Sequence, residues 1–203
     1  IVGAYLLSVA LAGGTTETVI PFLGSVDLGF FYYILAAVFI VGMVNAVNFT
    51  DGIDGLNTSV TLVVALVFSV IAMLLNRVGL SLYAAAIVGA MIGFLFWNAN
   101  PAKVFMGDTG SLFLGGAVCA LAFGVDMPIL LILIGIIYIV EILSVVLQVT
   151  YFKISHGKRI FKMAPIHHHF EMCGWNENKI CFVFSGVTLF AGIIGVLLAV
   201  FGC

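Results

Sequence analysis

Charged residues are scarce in this sequence. Its 203 residues include 7 lysines and arginines and 9 aspartates and glutamates, so that 8% of the chain is charged and 64% is hydrophobic. A soluble domain of this length could not bury so much apolar surface. Several apolar runs reach or approach the roughly 17–25 residues with which a helix crosses a bilayer. The composition excludes a soluble protein and predicts an all-α, polytopic transmembrane helix bundle.

Cysteine is also scarce, and the start of the chain lacks a targeting signal. The 4 cysteines have no CxxC spacing, which gives no indication of a metal site or a redox pair. Cys119, Cys181 and Cys203 lie in apolar runs and are predicted to be small buried hydrophobic residues. The chain begins at Ile1 inside an apolar run with no basic segment before it. We therefore expect no signal peptide, and we expect that part of a longer protein is missing upstream.

The apolar runs predict one integral-membrane domain over 1–203. We predict a partial span at 1–12 and full spans at 30–48, 58–76, 82–98, 111–125, 129–151 and 179–202. The run 111–125 is short, so we expect it to be tilted or extended at its ends. The connectors then alternate between a first side (13–29, 77–81, 126–128 and the C-terminus) and a second side (49–57, 99–110 and 152–178).

The basic residues predict which side faces the cytoplasm. Of the 7 lysines and arginines, Arg77 falls on the first side and the others fall on the second side or at its edge. Positively charged residues are enriched in cytoplasmic connectors of membrane proteins. The second side, which also carries the recognisable polar clusters, is therefore predicted to be cytoplasmic.

The first polar cluster occupies residues 45–57. Asp51 and Asp54 are three residues apart, so a helical turn would place both carboxylates on one face. Gly52 and Gly55 allow a tight turn or the close approach of a ligand. The following helix begins here, and its free N–H groups favour an anion such as a phosphate. The simpler alternative, that one aspartate caps this helix, leaves the second aspartate and the two preceding asparagines unexplained.

The second cluster, residues 98–111, places Asp108 just ahead of another apolar helix, with glycine on either side. A carboxylate there could cap the helix or hold a divalent cation. Mg²⁺ takes one or two protein carboxylates and shares its other positions with water and substrate phosphates. Phe105 lies beside this polar loop, where it could stack on a base or anchor the chain at the membrane interface.

The third cluster, residues 158–171, combines basic residues with His167, His168 and His169. Adjacent residues point in different directions, which disfavours a zinc site. Cationic and neutral donors in this order suit a polyphosphate, and the alternative is a basic loop attracted to anionic lipid. Glu141 and Gln148 share a helix face within a span. Gln148 could reach the site, whereas Glu141 is predicted to lie deeper in a structural role, with a proton relay left open.

These motifs resemble one family. NxxNFTDGIDGL at 45–56, FMGDTGSL at 105–112 and PIHHHFE at 165–171, in this order between apolar spans, resemble the polyprenyl-phosphate N-acetylhexosamine-1-phosphate transferases. The histidine motif resembles the branch that transfers phospho-N-acetylmuramoyl-pentapeptide in bacterial peptidoglycan synthesis. The resemblance implies Mg²⁺-dependent transfer from a UDP donor to undecaprenyl phosphate, giving lipid I and UMP, at the cytoplasmic face of the bacterial plasma membrane.

The resemblance also implies roles for residues. It implies Asp108 as the magnesium ligand and Asp51 and Asp54 as active-site carboxylates. The histidines of the third cluster would contact the diphosphate or the sugar–peptide. Further substrate contacts are implied for Asn45, Asn48, Gly52, Ile53, Asn98, Phe105, Gln148 and Ala164, with Phe105 on the uracil and with Gln148 and Ala164 in the nucleoside pocket.

The chain departs from the family pattern. It has fewer spans than the family and no adjacent pair of aspartates, so we expect these residues to be the C-terminal part of the enzyme and inactive alone. A homodimer within the bilayer is expected from the resemblance, and no nucleic-acid partner is predicted. The alternatives are a sister transferase that uses UDP-N-acetylglucosamine, a proton- or cation-coupled transporter, and a non-catalytic scaffold. The transporter is disfavoured because most polar groups lie at span ends rather than at the bilayer midplane.

Overall fold

The chain is a multi-pass membrane protein built almost entirely from helices. A computed structural model describes residues 2–11 and 16–202. Among the described residues, six helices are long and apolar enough to cross a membrane. These are α2 (Phe30–Thr50), α3 (Leu56–Leu74), α4 (Val78–Asn98), α5 (Gly107–Gly124), α7 (Ile136–Ile154) and α9 (Glu177–Phe201). The predicted all-α bundle of six full spans is confirmed, and the predicted partial span at 1–12 contains the helix α1 (Val2–Leu11).

The core of the bundle surrounds α3. This helix packs against α4 on one side and α9 on the other, while α2 packs against α5 and α7. Val60, Val64 and Phe68 lie along one face of α3 and are fully buried, as expected for residues spaced four apart. Lipid-facing positions on the outer helices remain apolar and exposed, which is typical of a membrane bundle.

Two details differ from the predicted spans. The predicted span 129–151 is interrupted at Gly135, which separates α6 (Leu130–Ile134) from α7. A Cβ at Gly135 would lie 2.7 Å from the Leu131 carbonyl oxygen, so the backbone bends where no side chain would fit. Helix α5 begins at Gly107, four residues before the predicted start at 111. Helix α5 is therefore extended at its N-terminal end, as predicted from its short apolar run.

The first side carries a small hairpin that the sequence did not predict. Strands β1 (Glu17–Ile20) and β2 (Gly24–Asp27) pair antiparallel, with Thr18 opposite Val26. The amide of Val19 donates to the Asp126 carbonyl oxygen over 2.9 Å, and Arg77 pairs with the Asp126 carboxylate at 2.7 Å. Part of the predicted connector 13–29 lies outside the described residues. These contacts tie the connectors of the first side together and leave the three polar clusters at the other end.

The cysteines agree in part with the expected burial. Cys119 is buried in α5, whereas Cys181 in α9 is half-buried. Cys203 lies outside the described residues, and Cys173 is exposed in the connector before α9. The last connecting segment also contains the short helix α8 (Ile166–Glu171), which holds the three histidines.

Candidate functional site

The three polar clusters meet at the second side of the bundle. Asn48 at the end of α2 bonds to Asp108 in the first turn of α5, which joins the first cluster to the second. Glu141 of α7 contacts His167 of α8. The ring of His167 in turn lies against Gly52 of the first cluster. Residues more than 100 positions apart in the chain therefore share one site.

Asp108 is exposed and is held by an amide. Asn48 Nδ2 donates to Asp108 Oδ1 over 3.1 Å and to Ser111 Oγ over 2.8 Å. Helix α5 has no side-chain cap, so the Asp108 carboxylate is not used to cap its N-terminus. The side chain is therefore available to a ligand beside the free N–H groups of the helix, whose dipole favours negative charge.

Asp51 lies directly after α2 and faces the same region. Its side chain is half-buried. Partial burial and, to a smaller extent, the negative charge of Asp108 raise the pKa of the Asp51 carboxyl above its ordinary range. The two carboxylates are therefore close enough to repel each other. A bound cation would relieve this repulsion.

The donor set fits a hard divalent cation. The described residues contain no group of three or more histidine, cysteine, aspartate or glutamate side chains that could enclose a metal. Asp51 and Asp108 instead offer two carboxylates at an accessible edge of the site. This is the number that Mg²⁺ takes where water and substrate phosphates complete its octahedron. The residues present therefore fit the predicted magnesium site at Asp108, with Asp51 beside it.

Asp54 bonds to the connector 99–106 and to the start of α9. Its Oδ2 accepts hydrogen bonds from Asn100 Nδ2 at 3.2 Å and from the Ala102 amide at 2.8 Å. The Asp54 amide donates to Glu177 Oε2 over 3.0 Å. The helical turn that would align the two aspartates does not form, because residues 51–55 are turns between α2 and α3. In this arrangement Asp54 braces the connector 99–106, and its catalytic role stays a prediction.

The predicted asparagine contacts occupy different positions. Asn98 is buried, accepts from Thr58 Oγ1 over 2.5 Å and donates to the Val104 carbonyl over 3.0 Å, so both ends of its amide hold the connector after α4. Asn45 is exposed and donates to the Val41 carbonyl one helical turn earlier. Ile53 is half-buried in the turn. Their contacts with a substrate remain predictions.

Phe105 is the aromatic residue of the connector 99–106, and 73% of its side chain is exposed. It borders a groove of about 420 Å³ between α4 and α5, lined by residues that include Met91, Phe94 and Phe113. An exposed ring one turn before Asp108 can stack on a base, and it can equally rest in the membrane interface. Its stacking on the uracil stays a prediction.

Gln148 organises the start of the long connector. Its Oε1 accepts from the amides of Ile160 and Phe161 at 3.1 and 2.9 Å. Ala164 is half-buried further along the same connector, just before α8. Gln148 on α7 thus holds the connector on which Ala164 lies, and the place of both residues in a nucleoside pocket stays a prediction.

Each of the three histidines has its own local partner. His167 is fully buried and shares a hydrogen bond of 3.0 Å with Glu141. His168 pairs with Glu171, and His169 Nδ1 accepts from the Lys162 amide over 3.1 Å. His168 and His169 are half-buried. The histidines are therefore not equivalent, and the two half-buried rings are the more accessible to a substrate.

One residue of the site, Glu177, escaped the sequence analysis, and the position of Glu141 was only partly described by it. Glu177, whose carboxylate anchors the Asp54 turn across 123 positions of sequence, carried no local signal. Glu141 was predicted to lie deeper in its span in a structural role, and the structure places it fully buried on α7, bonded to His167. Helix α7 continues for 13 residues beyond Glu141, to Ile154. An ionisable residue in a span was the available signal.

The chain is similar to known proteins over most of its length. A family profile described as glycosyl transferase family 4 matches residues 1–126. The chain is 52% identical over 196 residues to a protein of Clostridium botulinum named phospho-N-acetylmuramoyl-pentapeptide-transferase, covering 94% of the chain and 60% of that relative. Proteins of the same name from Clostridium perfringens and Listeria monocytogenes are 55% and 49% identical, over 86% and 93% of the chain. The chain spans only 54% and 59% of those two relatives.

Proposed function

This chain belongs to glycosyl transferase family 4, and from that premise we propose that it forms the C-terminal part of a phosphoglycosyl transferase. The proposed enzyme transfers phospho-N-acetylmuramoyl-pentapeptide from its UDP donor to undecaprenyl phosphate, giving lipid I and UMP. The names of the relatives support the reaction. The order of the three motifs supports the same branch, because the histidine motif at 165–171 is the part that resembles it.

The observation that carries the proposal is the pair of carboxylates at the second side. Asp51 and Asp108 come from two different connectors, and they lie close enough for the charge of Asp108 to raise the pKa of Asp51. The Asn48 amide fixes Asp108 from the end of α2. Two accessible carboxylates at the end of a membrane bundle suit chemistry between a soluble nucleotide and a lipid, whose phosphate lies at the bilayer surface.

The proposed reaction depends mainly on how the two substrates are positioned. An oxygen of the lipid phosphate forms a bond to the phosphorus attached to the sugar, and the bond from that phosphorus to the UMP oxygen breaks. Both reactants are anions, so the site must align them and neutralise their charge. We assign alignment to the turn 51–55 and the connector 99–106. The exposed cationic side chains of Lys158, Arg159 and Lys162 supply positive charge nearby.

Asp108, with Asp51 beside it, would hold Mg²⁺. Held there, Mg²⁺ would supply positive charge beside the phosphates of the two anionic substrates. Asn48 keeps the Asp108 carboxylate in place through its 3.1 Å hydrogen bond. Ser111 holds the same amide from the first turn of α5.

We further propose that the second side faces the cytoplasm of a bacterial plasma membrane. The distribution of lysine and arginine supports this orientation, and the UDP donor is a cytoplasmic metabolite by its chemistry as a charged, soluble nucleotide. The exposed apolar face of α7 near the site, with Val146, Val149 and Phe152, suits the lipid chain of the second substrate.

Two further proposals concern how the site is completed and how the enzyme assembles. Because the chain spans 60% of its Clostridium botulinum relative, we propose that residues upstream complete the site and that residues 1–203 alone are inactive. We also propose a homodimer, on the family resemblance. Release of UMP by a purified protein of residues 1–203 would contradict the first of these, and a monomeric mass in detergent would contradict the second.

The deciding experiment measures Mg²⁺-dependent UMP release by the full-length protein that contains this chain. UDP-MurNAc-pentapeptide and UDP-N-acetylglucosamine are each offered with a polyprenyl phosphate, to wild type, Asp108→Asn and Asp126→Asn. Asp126→Asn is the matched control, because it makes the same substitution at the first side, where the carboxylate pairs with Arg77. We expect release from the muramoyl donor alone, lowered about 100-fold or more by Asp108→Asn and unchanged by Asp126→Asn.

Other outcomes would contradict the proposal in distinct ways. Release from the glucosamine donor alone would move the protein to the sister branch. Unchanged release by Asp108→Asn would remove the assignment of the magnesium ligand. No release from either donor by wild type would contradict the transferase function itself.

A further inference from the structure

Glu141 forms a buried pair at the edge of the proposed site. Glu141 on α7 and His167 on α8 are both 0% exposed, and Oε2 lies 3.0 Å from Nδ1. Among the described residues, Glu141 Oε1 and His167 Nε2 are buried without a hydrogen-bond partner. A buried ionisable pair gains little stability over an apolar pair of the same volume. We therefore looked to its contacts for a role other than stabilising the fold.

The other edge of the His167 ring rests on the turn that carries Asp51. A Cβ added to Gly52 would lie 2.2 Å from His167 Nε2 and 2.6 Å from Cε1, so only glycine fits beneath the ring. Gly52 directly follows Asp51 in the chain. Any rotation of the imidazole would move an edge that is packed on this backbone. The hydrogen bond at Nδ1 opposes such a rotation, and Glu141 provides it.

We propose that Glu141 is a positioning residue of the transfer reaction. It fixes the orientation of the His167 ring, which supports the turn at Gly52 and thereby sets the place of Asp51 relative to Asp108. Glu141 acts through His167 and touches no substrate, since none of its surface is exposed. The role rests on the proposed transferase function and adds to it a residue from a third helix.

The test compares variants of the full-length protein in the UMP-release assay. Glu141→Leu removes the hydrogen bond while keeping an apolar side chain of similar size. Glu141→Gln keeps an acceptor oxygen for Nδ1 and is the conservative rescue. Tyr138→Phe is the matched control, because Tyr138 is also fully buried on α7, one turn away, and its hydroxyl lies 2.7 Å from Thr61 Oγ1. Thermal unfolding of each variant in detergent checks that it folds.

We expect Glu141→Leu to lower kcat about tenfold or more while KM for the nucleotide donor changes less than about twofold, because a misplaced carboxylate affects the transition state more than binding. Glu141→Gln should retain most of kcat, and Tyr138→Phe should retain wild-type kcat. In a His167→Asn background, Glu141→Leu should cause no further loss, since the two residues act as a unit.

Three results would overturn the positioning role. They are wild-type kcat in Glu141→Leu, losses that add in the His167→Asn background, or an equal loss in Tyr138→Phe. The last would show that any buried polar contact in α7 has the same effect. A wild-type protein that releases no UMP would instead contradict the proposed function, and the positioning role would fall with it.

Discussion

The surroundings of Asp51 at the second side disfavour its ionised form. Burial and the neighbouring charge of Asp108 raise its pKa, so the ionised form is disfavoured in the folded protein relative to the unfolded chain. In the acid range the unfolded state then binds fewer protons than the folded state, and stability falls as pH rises towards the raised pKa. The second carboxylate beside Asp108 therefore lowers the stability of the folded protein.

Asp51→Asn should therefore stabilise the protein while abolishing its activity. The amide has the same shape and no charge, so in EDTA at pH 7 we expect a higher melting temperature for Asp51→Asn than for wild type. The advantage should shrink as pH falls through the raised pKa of the Asp51 carboxyl, because the wild-type side chain then becomes protonated and loses its charge. Melting curves in detergent across this range, with UMP release alongside, test the prediction.

The control for this prediction is again Asp126→Asn, which removes a carboxylate that has a cationic partner, Arg77. It should bring no gain in melting temperature. A lower melting temperature for Asp51→Asn than for wild type in EDTA would contradict the argument. Added Mg²⁺ should stabilise wild type more than Asp51→Asn, because a cation that binds only the folded state raises its stability.

Gly52 is predicted to be intolerant of even one methyl group. A Cβ would lie 2.2 Å from His167 Nε2, and the ring is held from behind by Glu141. Gly52→Ala should lower UMP release about 100-fold, because the turn and Asp51 must shift. Gly89→Ala is the matched control, since a Cβ there meets nothing within 4 Å among the described residues. Equal activity of Gly52→Ala and Gly89→Ala would show that the ring can give way.

At the scale of elements, helix α2 brings the first cluster to the second through its contact with α5. A Cβ at Gly115 of α5 would lie 2.7 Å from the Cα of Val44 on α2. The two backbones therefore approach closely at this point, as small residues permit in membrane bundles. One turn further along α2, Asn48 reaches Asp108 and Ser111. The close packing of α2 on α5 therefore allows Asn48 to reach Asp108.

Two adjacent glycines test this contact. Gly115→Ala should destabilise the protein by about 1–3 kcal/mol, because a methyl group must be accommodated against backbone. Gly116→Ala should leave stability unchanged or slightly raised, since a Cβ there meets nothing within 4 Å among the described residues. Thermal unfolding in detergent measures both. Equal stability of the two variants would contradict the close packing of α2 on α5.

The elements also show where sequence reasoning succeeded. The long apolar runs fixed the number of full spans, because each run had to cross the bilayer. The break at Gly135 was not foreseen, since the apolar pattern continues unchanged across it. The hairpin at 17–27 was missed because its strands are 4 residues each and too short to show an alternating pattern.

At the scale of the whole molecule, the sequence placed the three clusters on one side but could not pair their residues. Alternation of the spans was sufficient to bring Asp51 and Asp108 to the same end. The contact of Asp54 with Glu177 depends on how α3 packs against α9, across 123 positions of sequence. Such pairings follow from tertiary packing, which leaves no trace in local composition. For the same reason Glu141 could not be assigned to His167 from the sequence.

The orientation of the whole molecule can be tested with a cysteine that it already has. Cys173 is exposed on the second side, in the connector between α8 and α9. In a protein whose other cysteines are replaced by alanine, a membrane-impermeant maleimide should label Cys173 in inside-out vesicles and not in intact cells. The reason is that basic connectors are enriched on the cytoplasmic side of membrane proteins, which is where we propose that this side lies.

The matched control moves the thiol to the opposite end. Ser25→Cys, with Cys173 also replaced, places an exposed thiol on β2 of the first side, and it should be labelled in intact cells. Labelling of Cys173 from outside and of position 25 from inside would reverse the proposed orientation. A reversed molecule would present Asp51 and Asp108 to the side that lacks the soluble UDP donor. The proposed reaction would then have no access to its substrate, so this measurement tests the function together with the topology.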